Sequence, residues 1–477
     1  MGKKTEISGG SPSLFRVNKL FRTLTVGCIC LLLFVSSSYR QASSQTSGGD
    51  WTSFTLDDNN SRYQATSAVT SSNIGLLQKA WEYPTQYSIS STPVVQDGVV
   101  YFADWAGNVY SVEVDDGSLN WMVNLGGPIS STLLLANGLV YVELGPAETM
   151  VYALSQDDGA IVWSTTVAST MPSSWTSPMI YDNLIYFGTA SNGIFENDPA
   201  QHGEIVALNA MTGALVWSFS TVNGKAGGSA VWGSVAIDPK LNSIYFGTGN
   251  PFSRSLSALY SYSIMSLDAT TGKLNWYYQV YHSLLRGHDN DFGSTPNLFS
   301  VTISGVTYQA VGLGNKNGVY YVLDRTNGKL LGSYPVGTGE GGITGVAGFY
   351  YPSGTVNPEI FIPSSDDKKI HNKGVLGVVE ALVPSTGTSG TSAWRFTTPG
   401  DIDGSVAVVP GAVLFGDVFG NLYGVSISSG SQLWKTAIPF GVQAGVTVAE
   451  GHVFVGNFDS DSPGPASGLG LYAYTTP

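Results

Sequence analysis

Cysteine is almost missing from this chain. The only two, Cys28 and Cys30, both lie in an apolar run from Leu24 to Val35 near the N-terminus. Once that run is removed, disulfides, thiol catalysis and a Cys-x-x-Cys-His haem attachment are all excluded. Charge is scarce too, at 12% of residues, and is biased towards acid, with 34 Asp and Glu against 21 Lys and Arg. Residues 1–46 hold six of the basic residues and one of the acidic ones, leaving 15 against 33, a net of −18. A surface of that sign argues against nucleic acid as a partner and accounts for solubility. No other long apolar run exists, and the one present is shorter than the roughly 20 residues that span a bilayer.

With Lys3, Lys4, Arg16, Lys19 and Arg22 before the run, and Ser36 to Ser38 and Ala42 to Ser44 after it, residues 1–46 read as a secretory signal and spacer. The alternative is an uncleaved anchor, which would be the protein's only link to a membrane. Either reading places the protein in a secreted, periplasmic or cell-envelope exterior compartment.

What the chain has in quantity is glycine, 59 residues, and 43% apolar residues, the composition of a turn-rich all-β protein. Residues 47–75, with Asp50-Trp51, Asn59-Asn60-Ser61-Arg62-Tyr63 and Ser71-Ser72-Asn73, are polar and irregular, a lead-in segment without a blade. From 76 to 477 the chain repeats. A glycine recurs four residues before a tryptophan: Gly117 and Trp121, Gly159 and Trp163, Gly213 and Trp217, Gly272 and Trp276, Gly430 and Trp434.

Two units are irregular. Gly332 stands where Trp is due after Gly328, and Trp394 follows Gly390, which an insertion leaves at the usual distance. With Trp81 these make eight outer-strand positions. The period predicts an eight-bladed β-propeller of four-stranded antiparallel blades. Its last strand, Gly470–Thr476, is completed by an outer strand from the N-terminus, closing the ring without a long free edge. The repeated tryptophans are predicted to pack between blades.

One stretch departs from the repeat. Gly227 to Pro251 reads as strands Val231–Ile237 and Ser243–Gly247 around an Asp238-Pro239 turn. Trp232 then falls on an inner strand where other blades carry Ser91-Thr92, Ser130-Ser131 or Ser405-Val406, and Asn250 follows the neighbouring strand. The stretch resembles the corresponding hairpin of quinoprotein alcohol dehydrogenases, eight-bladed propellers that use pyrroloquinoline quinone (PQQ) and calcium.

The resemblance implies that Trp232 is the floor on which the quinone stacks and Asn250 a metal ligand. The Arg62-Tyr63 pair matches the family's lead-in. His288-Asp289-Asn290-Asp291-Phe292-Gly293 resembles the motif that supplies the catalytic base, Asp291, with Asp289 as the alternative; Asp291 would also bind the metal. In Gly314-Asn315-Lys316-Asn317-Gly318, Lys316 takes the place of a cation that contacts the quinone oxygens and stabilises charge on them, and Asn317 joins the cofactor site.

Read without the resemblance, Asp289 and Asp291 are turn-forming carboxylates and Lys316 a solvated cation. The family's metal-binding Glu has no direct match after Phe187-Gly188-Thr189-Ala190. Glu196, through a longer loop, is the expected ligand, with Asn192 as a neutral substitute. The family's vicinal cysteine pair is absent. Lanthanide-dependent relatives carry an extra Asp two residues beyond the base. Gly293 stands there if Asp291 is the base, which favours calcium, whereas Asp291 itself stands there if Asp289 is.

Asp291-Phe-Gly-Ser-Thr-Pro-Asn297 makes the chain most similar to polyvinyl-alcohol-dehydrogenase-like proteins. The implied activity is dehydrogenation of an alcohol or sugar hydroxyl, with a carboxylate taking the hydroxyl proton and electrons passing to an external acceptor such as a cytochrome. The alternative is a non-catalytic propeller serving as a secreted or envelope scaffold.

Overall fold

The computed structural model describes residues 49–145, 149–167, 175–190, 201–222, 227–252, 259–280, 290–337, 341–365, 377–385, 390–460 and 464–477. The signal reading of residues 1–46 lies outside them. No helix among the described residues is long and apolar enough to cross a membrane.

Among the described residues, thirty-two strands form eight four-stranded antiparallel sheets, the predicted eight-bladed propeller. The inner strands are, in blade order, Val94–Gln96, Leu134–Ala136, Met179–Tyr181, Ala236–Asp238, Asn297–Ile303, Gly348–Tyr350, Ala407–Val409 and Thr447–Ala449. Second and third strands such as Val99–Ala103 and Ser263–Asp268 are buried on both faces, because each blade is covered by its neighbours. Outer strands such as Leu119–Asn124 and Leu215–Ser220 keep much of their surface in water. The ring closes as expected: Gln78–Thr85 pairs antiparallel with Leu469–Thr475, from Gln78 opposite Thr475 to Thr85 opposite Leu469.

The glycine-to-tryptophan spacing has a physical cause. Each indole docks on the turn of the following blade. Trp81 donates its Nε1–H to the Val114 carbonyl (2.8 Å), Trp121 to Gln156 (2.9 Å), Trp163 to Ala210 (3.0 Å), Trp217 to Ala269 (3.1 Å) and Trp276 to Arg325 (3.0 Å). The indole of Trp81 lies flat against Gly117, where φ is +71° and a Cβ would stand 2.7 Å from the ring. Only glycine accepts both the turn and the ring. Where Trp is missing at Gly332, Tyr334 substitutes: its ring lies beside Gly390 and its hydroxyl donates to the Ser385 carbonyl. Trp434, last in the series, donates to Leu77 O (3.2 Å), beside the short 3₁₀ turn Ile74–Leu76 of the lead-in.

That lead-in is built into the ring. Trp51 bridges Val95 of the first blade, Leu135 N donates to Thr52 O (2.8 Å) in the second, and Thr55 Oγ1 meets Met179 Sδ (3.5 Å) in the third. Ile237 N donates to Asp58 O (3.2 Å), Leu298 N to Asn59 O (2.8 Å), Phe349 N to Ser61 O (2.8 Å) and Val408 N to Arg62 O (2.8 Å). Residues 51–64 therefore run around the inner strands in blade order and satisfy edge groups that would otherwise face the axis unpaired.

Arg62, fully buried, donates through Nε to Val406 O (2.6 Å), through Nη1 to Phe54 O and through Nη2 to Val446 O (3.4 Å) of the eighth blade. Its guanidinium carbon stands 5.1 Å from the Trp51 ring centroid and 5.3 Å from that of Phe54.

Burial in this strap pushes the Asp58 carboxyl up to about 6, with the neighbouring Asp57 adding to it. A carboxyl raised on folding lends stability that is full below its unfolded value and is lost as pH rises through the folded one. Asp58→Asn should therefore raise the melting temperature by about 2–5 °C at pH 8 and by almost nothing at about pH 3. Thermal unfolding of both proteins at the two pH values checks this.

Candidate active site

The loops that lead into the inner strands are fastened to one another around the axis. Thr92 N donates to Thr132 Oγ1 (2.9 Å), Thr132 N to Ser177 Oγ (3.0 Å), Ser177 N to Ser234 Oγ (2.7 Å) and Ser234 N to Thr295 Oγ1 (3.0 Å). Val346 N donates to Ser405 Oγ (3.3 Å) and Gly445 N to Thr92 Oγ1 (2.9 Å). The belt is interrupted where Val346 and Gly445 supply no hydroxyl to the preceding blade. It fixes a register: the residues two before each belt position are Ser90, Ser130, Trp175, Trp232, Gly293, Thr344, Asp403 and Gln443.

Trp232 thus stands in a loop. The expected strand Val231–Ile237 is shorter, Ala236–Asp238, because residues 231–235 belong to the belt and its approach. The second expected strand, Ser243–Gly247, is observed. In the next blade the equivalent residue is Gly293, where a Cβ would fall 1.9 Å from the Trp232 ring. The absent side chain is the space the indole fills.

Four of the sequence-predicted residues come together here. The Asp291 carboxylate accepts the Trp232 indole N–H at Oδ2 (3.1 Å) and the Asn250 backbone N–H at Oδ1 (2.6 Å). Lys316 Nζ stands 3.8 Å from Asp291 Oδ2 and 4.8 Å from the centroid of the Trp232 ring. The Asp291 and Lys316 side chains are 11% and 18% exposed, so water screens their attraction only in part.

The backbone is locked as firmly. Lys316 N donates to Asp291 O (2.9 Å), and Asn315 Nδ2 donates to Asn290 O (2.7 Å). The first and seventh blades carry Asp104 and Asp417 at the turn position that Asn315 holds; each accepts from its own turn, as in Ala106 N to Asp104 Oδ1 and Phe419 N to Asp417 Oδ1. A carboxylate could not also donate to a neighbouring carbonyl, which is what Asn here adds.

The comparison with protein families decides the kinship. Residues 51–171 and 157–336 match the family model described as glucose/ethanol/alcohol dehydrogenase, beta-propeller domain. The chain belongs to this dehydrogenase propeller family. Residues 376–468 also match the model for the outer membrane protein assembly factor BamB.

Among curated proteins, this dehydrogenase-family propeller is 28% identical over 374 residues to quinohemoprotein alcohol dehydrogenase ADH IIB of Pseudomonas putida, covering 68% of this chain and 52% of that one. It is 28% identical over 329 residues to the quinoprotein alcohol dehydrogenase PedH of Pseudomonas putida KT2440, covering 57% and 53%. The chain spans about half the length of these relatives. Among solved structures, a europium-containing methanol dehydrogenase superposes with a TM-score of 0.74 at 16% identity, covering 90% of this chain and 99% of the other. BamB from Moraxella catarrhalis superposes with a TM-score of 0.54 at 15% identity, covering 84% and 97%. These structural likenesses establish the shared propeller.

The dehydrogenase-family propeller can be tested for its fit to PQQ and calcium. The Asn250 amide abuts the Asp291 carboxylate. Turned one way, its nitrogen donates to both carboxylate oxygens, with Oδ2 at 3.2 Å. Turned the other way, its oxygen would face the carboxylate, two acceptors with no donor between them. An amide oxygen and a carboxylate are the donors that calcium takes. Among the described residues no three His, Cys, Asp or Glu side chains converge, so the remaining ligands would come from elsewhere. A half-buried indole beside a lysine suits a planar anionic ring. The residues fit the group.

Beside Lys316, Asn317 donates through Nδ2 to the Tyr321 hydroxyl (3.0 Å), and its Oδ1 accepts from Val319 N (3.0 Å). Glu196, Asn192, His288 and Asp289 lie outside the described residues. Asp403, in the seventh blade at the register position of Trp232, is a residue that sequence reasoning misses. Its Oδ1 accepts from Thr344 Oγ1 (3.3 Å) and Ser365 Oγ (3.2 Å). Burial pushes its carboxyl up, and those two hydroxyls and the Lys316 ammonium oppose the shift.

The other side of the ring is aromatic, and the sequence does not announce that either. Trp105 packs edge-on against Trp175 (centroids 6.2 Å) and Phe458 (5.4 Å). The signal for Asp403 and Trp175 is the register, which is visible only once the belt is. A cavity of about 370 Å³ lined by Leu77, Lys79, Glu82, Pro439, Tyr472 and Tyr474 sits at the closure seam and contains none of these groups.

Proposed function

We propose that the protein is a PQQ- and calcium-dependent dehydrogenase that oxidises an alcohol or sugar hydroxyl and passes the electrons to a separate acceptor such as a cytochrome. The observation that carries this reading is the Asp291 carboxylate, held by the Trp232 indole and the Asn250 amide and faced by Lys316. When bound, PQQ would supply the hydride acceptor and calcium a Lewis acid. Asn250 and Asp291, with Glu196, would hold the metal. Asp291 would take the substrate's hydroxyl proton, and its two N–H donors keep it aimed. Trp232 would present its ring to the cofactor, and Lys316 would offset negative charge gathering there. An exported protein, as the N-terminal segment implies, would meet these partners outside the cytoplasm.

The match of residues 376–468 to BamB favours a second reading, a scaffold without catalysis. One experiment separates them. The purified protein is incubated with PQQ and calcium and offered primary alcohols, secondary alcohols and aldoses with an artificial dye acceptor. Dye reduction that needs both PQQ and substrate is the expected result. Absence of dye reduction across the panel, with PQQ demonstrably bound, would contradict the catalytic reading.

A further inference from the structure

Lys316 occupies a place that the proposed cofactor needs. Its Nζ stands 4.8 Å from the Trp232 centroid, and offset-stacked aromatic rings have centroids roughly 4.5–7 Å apart. A planar ligand on that face displaces the ammonium. The ion pair it leaves is long, 3.8 Å to Asp291 Oδ2, and has no hydrogen-bond geometry to lose.

A displaced ammonium in a partly buried setting is stabilised by a second counter-charge. Asp403 supplies one. Both hydroxyls that hold it, those of Thr344 and Ser365, donate to Oδ1, which leaves Oδ2 for another donor. The approach is guided by backbone: Ile343 N donates to Asn315 O (3.1 Å) and Ser365 N to Gly342 O (2.7 Å), tying the Lys316 turn to the loop and strand that carry Thr344 and Ser365.

We propose that Asp403 is a positioning residue for Lys316: it is the second seat of the ammonium, taken when a planar ligand covers Trp232. The inference rests on the reading that such a ligand stacks there. Lys316 then stays beside the ligand's edge as a fixed cation while Asp291 is released for the substrate. Asp403 itself touches neither substrate nor cofactor.

Zero-length carbodiimide coupling, which joins a lysine to a carboxylate in contact with it, reads the seat directly by mass spectrometry. The wild-type protein without PQQ should give mainly the Lys316–Asp291 link. Two arms follow. In Asp291→Asn without PQQ, the Lys316–Asp403 link should become dominant, and Asp403→Asn should remove it. In the wild type, PQQ with calcium should shift coupling from Asp291 to Asp403.

Absence of the Asp403 link in the Asp291→Asn arm overturns the proposal, and that arm needs no cofactor. If that link forms but PQQ neither binds nor shifts the wild-type pattern, the second seat stands and the dehydrogenase reading fails. PQQ that binds and leaves Lys316 on Asp291 overturns the proposal. Asp403→Asn should also weaken PQQ about tenfold, with Asp403→Glu restoring part of the loss.

Discussion

Asp291→Asn should lower kcat by about 10²–10⁴-fold, the range lost with a general base. The substitution is nearly isosteric. The new amide oxygen can still accept from the Trp232 indole or from Asn250 N, so the loop that ends in Phe292 and Gly293 has no reason to move. What disappears is the charge, and with it the site for the hydroxyl proton. Because Asp291 also belongs to the proposed metal set, the assay should be run at saturating calcium, so that weaker metal binding does not pass for lost catalysis. Turnover within about threefold of wild type, in a protein of unchanged melting temperature, would move the base to another residue, Asp289 first.

Arg62→Met should destabilise the protein by about 3–5 kcal/mol. Methionine keeps most of the stem's volume and loses the guanidinium. Three carbonyls, those of Phe54, Val406 and Val446, would lose their donor, the last two in buried positions, and the rings of Trp51 and Phe54 would lose the cation between them. Burial brings the Arg62 guanidinium down to about 9 against the pull of Asp57, so the side chain is charged at neutral pH and the loss is that of a cation. Thermal melting reads the total. Hydrogen exchange should show the inner-strand amides bound to residues 51–64 losing protection before those of the blade centres. A change under about 1 kcal/mol would mean that the strap does not depend on its arginine.

These two residues are legible in the sequence to different degrees. The propeller can be read because the glycine-to-tryptophan spacing reports a steric fact, an indole lying on a glycine turn of the next blade. The substitution of Tyr334 for the missing tryptophan is hidden, since the replacement sits two positions away and reaches the same kind of carbonyl by a different route. Arg62 stands out as part of a motif, but its role depends on eight strands meeting one segment, which no local pattern encodes.

At the site, Trp232, Asn250, Asp291 and Lys316 can be found because each stands in a motif. Their assembly follows from the blade order. Asp403 has no motif of its own. It becomes visible only when the hydroxyl belt aligns Asp403-Gly404-Ser405 with Trp232-Gly233-Ser234. Asn317 adjoins Lys316 in the same motif, and its amide bonds the Tyr321 hydroxyl and Val319 N.

Equilibrium binding of PQQ, followed by tryptophan fluorescence with and without calcium, in the wild type and in Trp232→Ala, puts the cofactor site to its sharpest test. Saturable quenching that tightens with calcium is expected, with a dissociation constant at least about tenfold larger in the variant. Failure of the wild type to bind PQQ under either condition, or equal affinity in the two proteins, would show that Trp232 is not the floor of a quinone site.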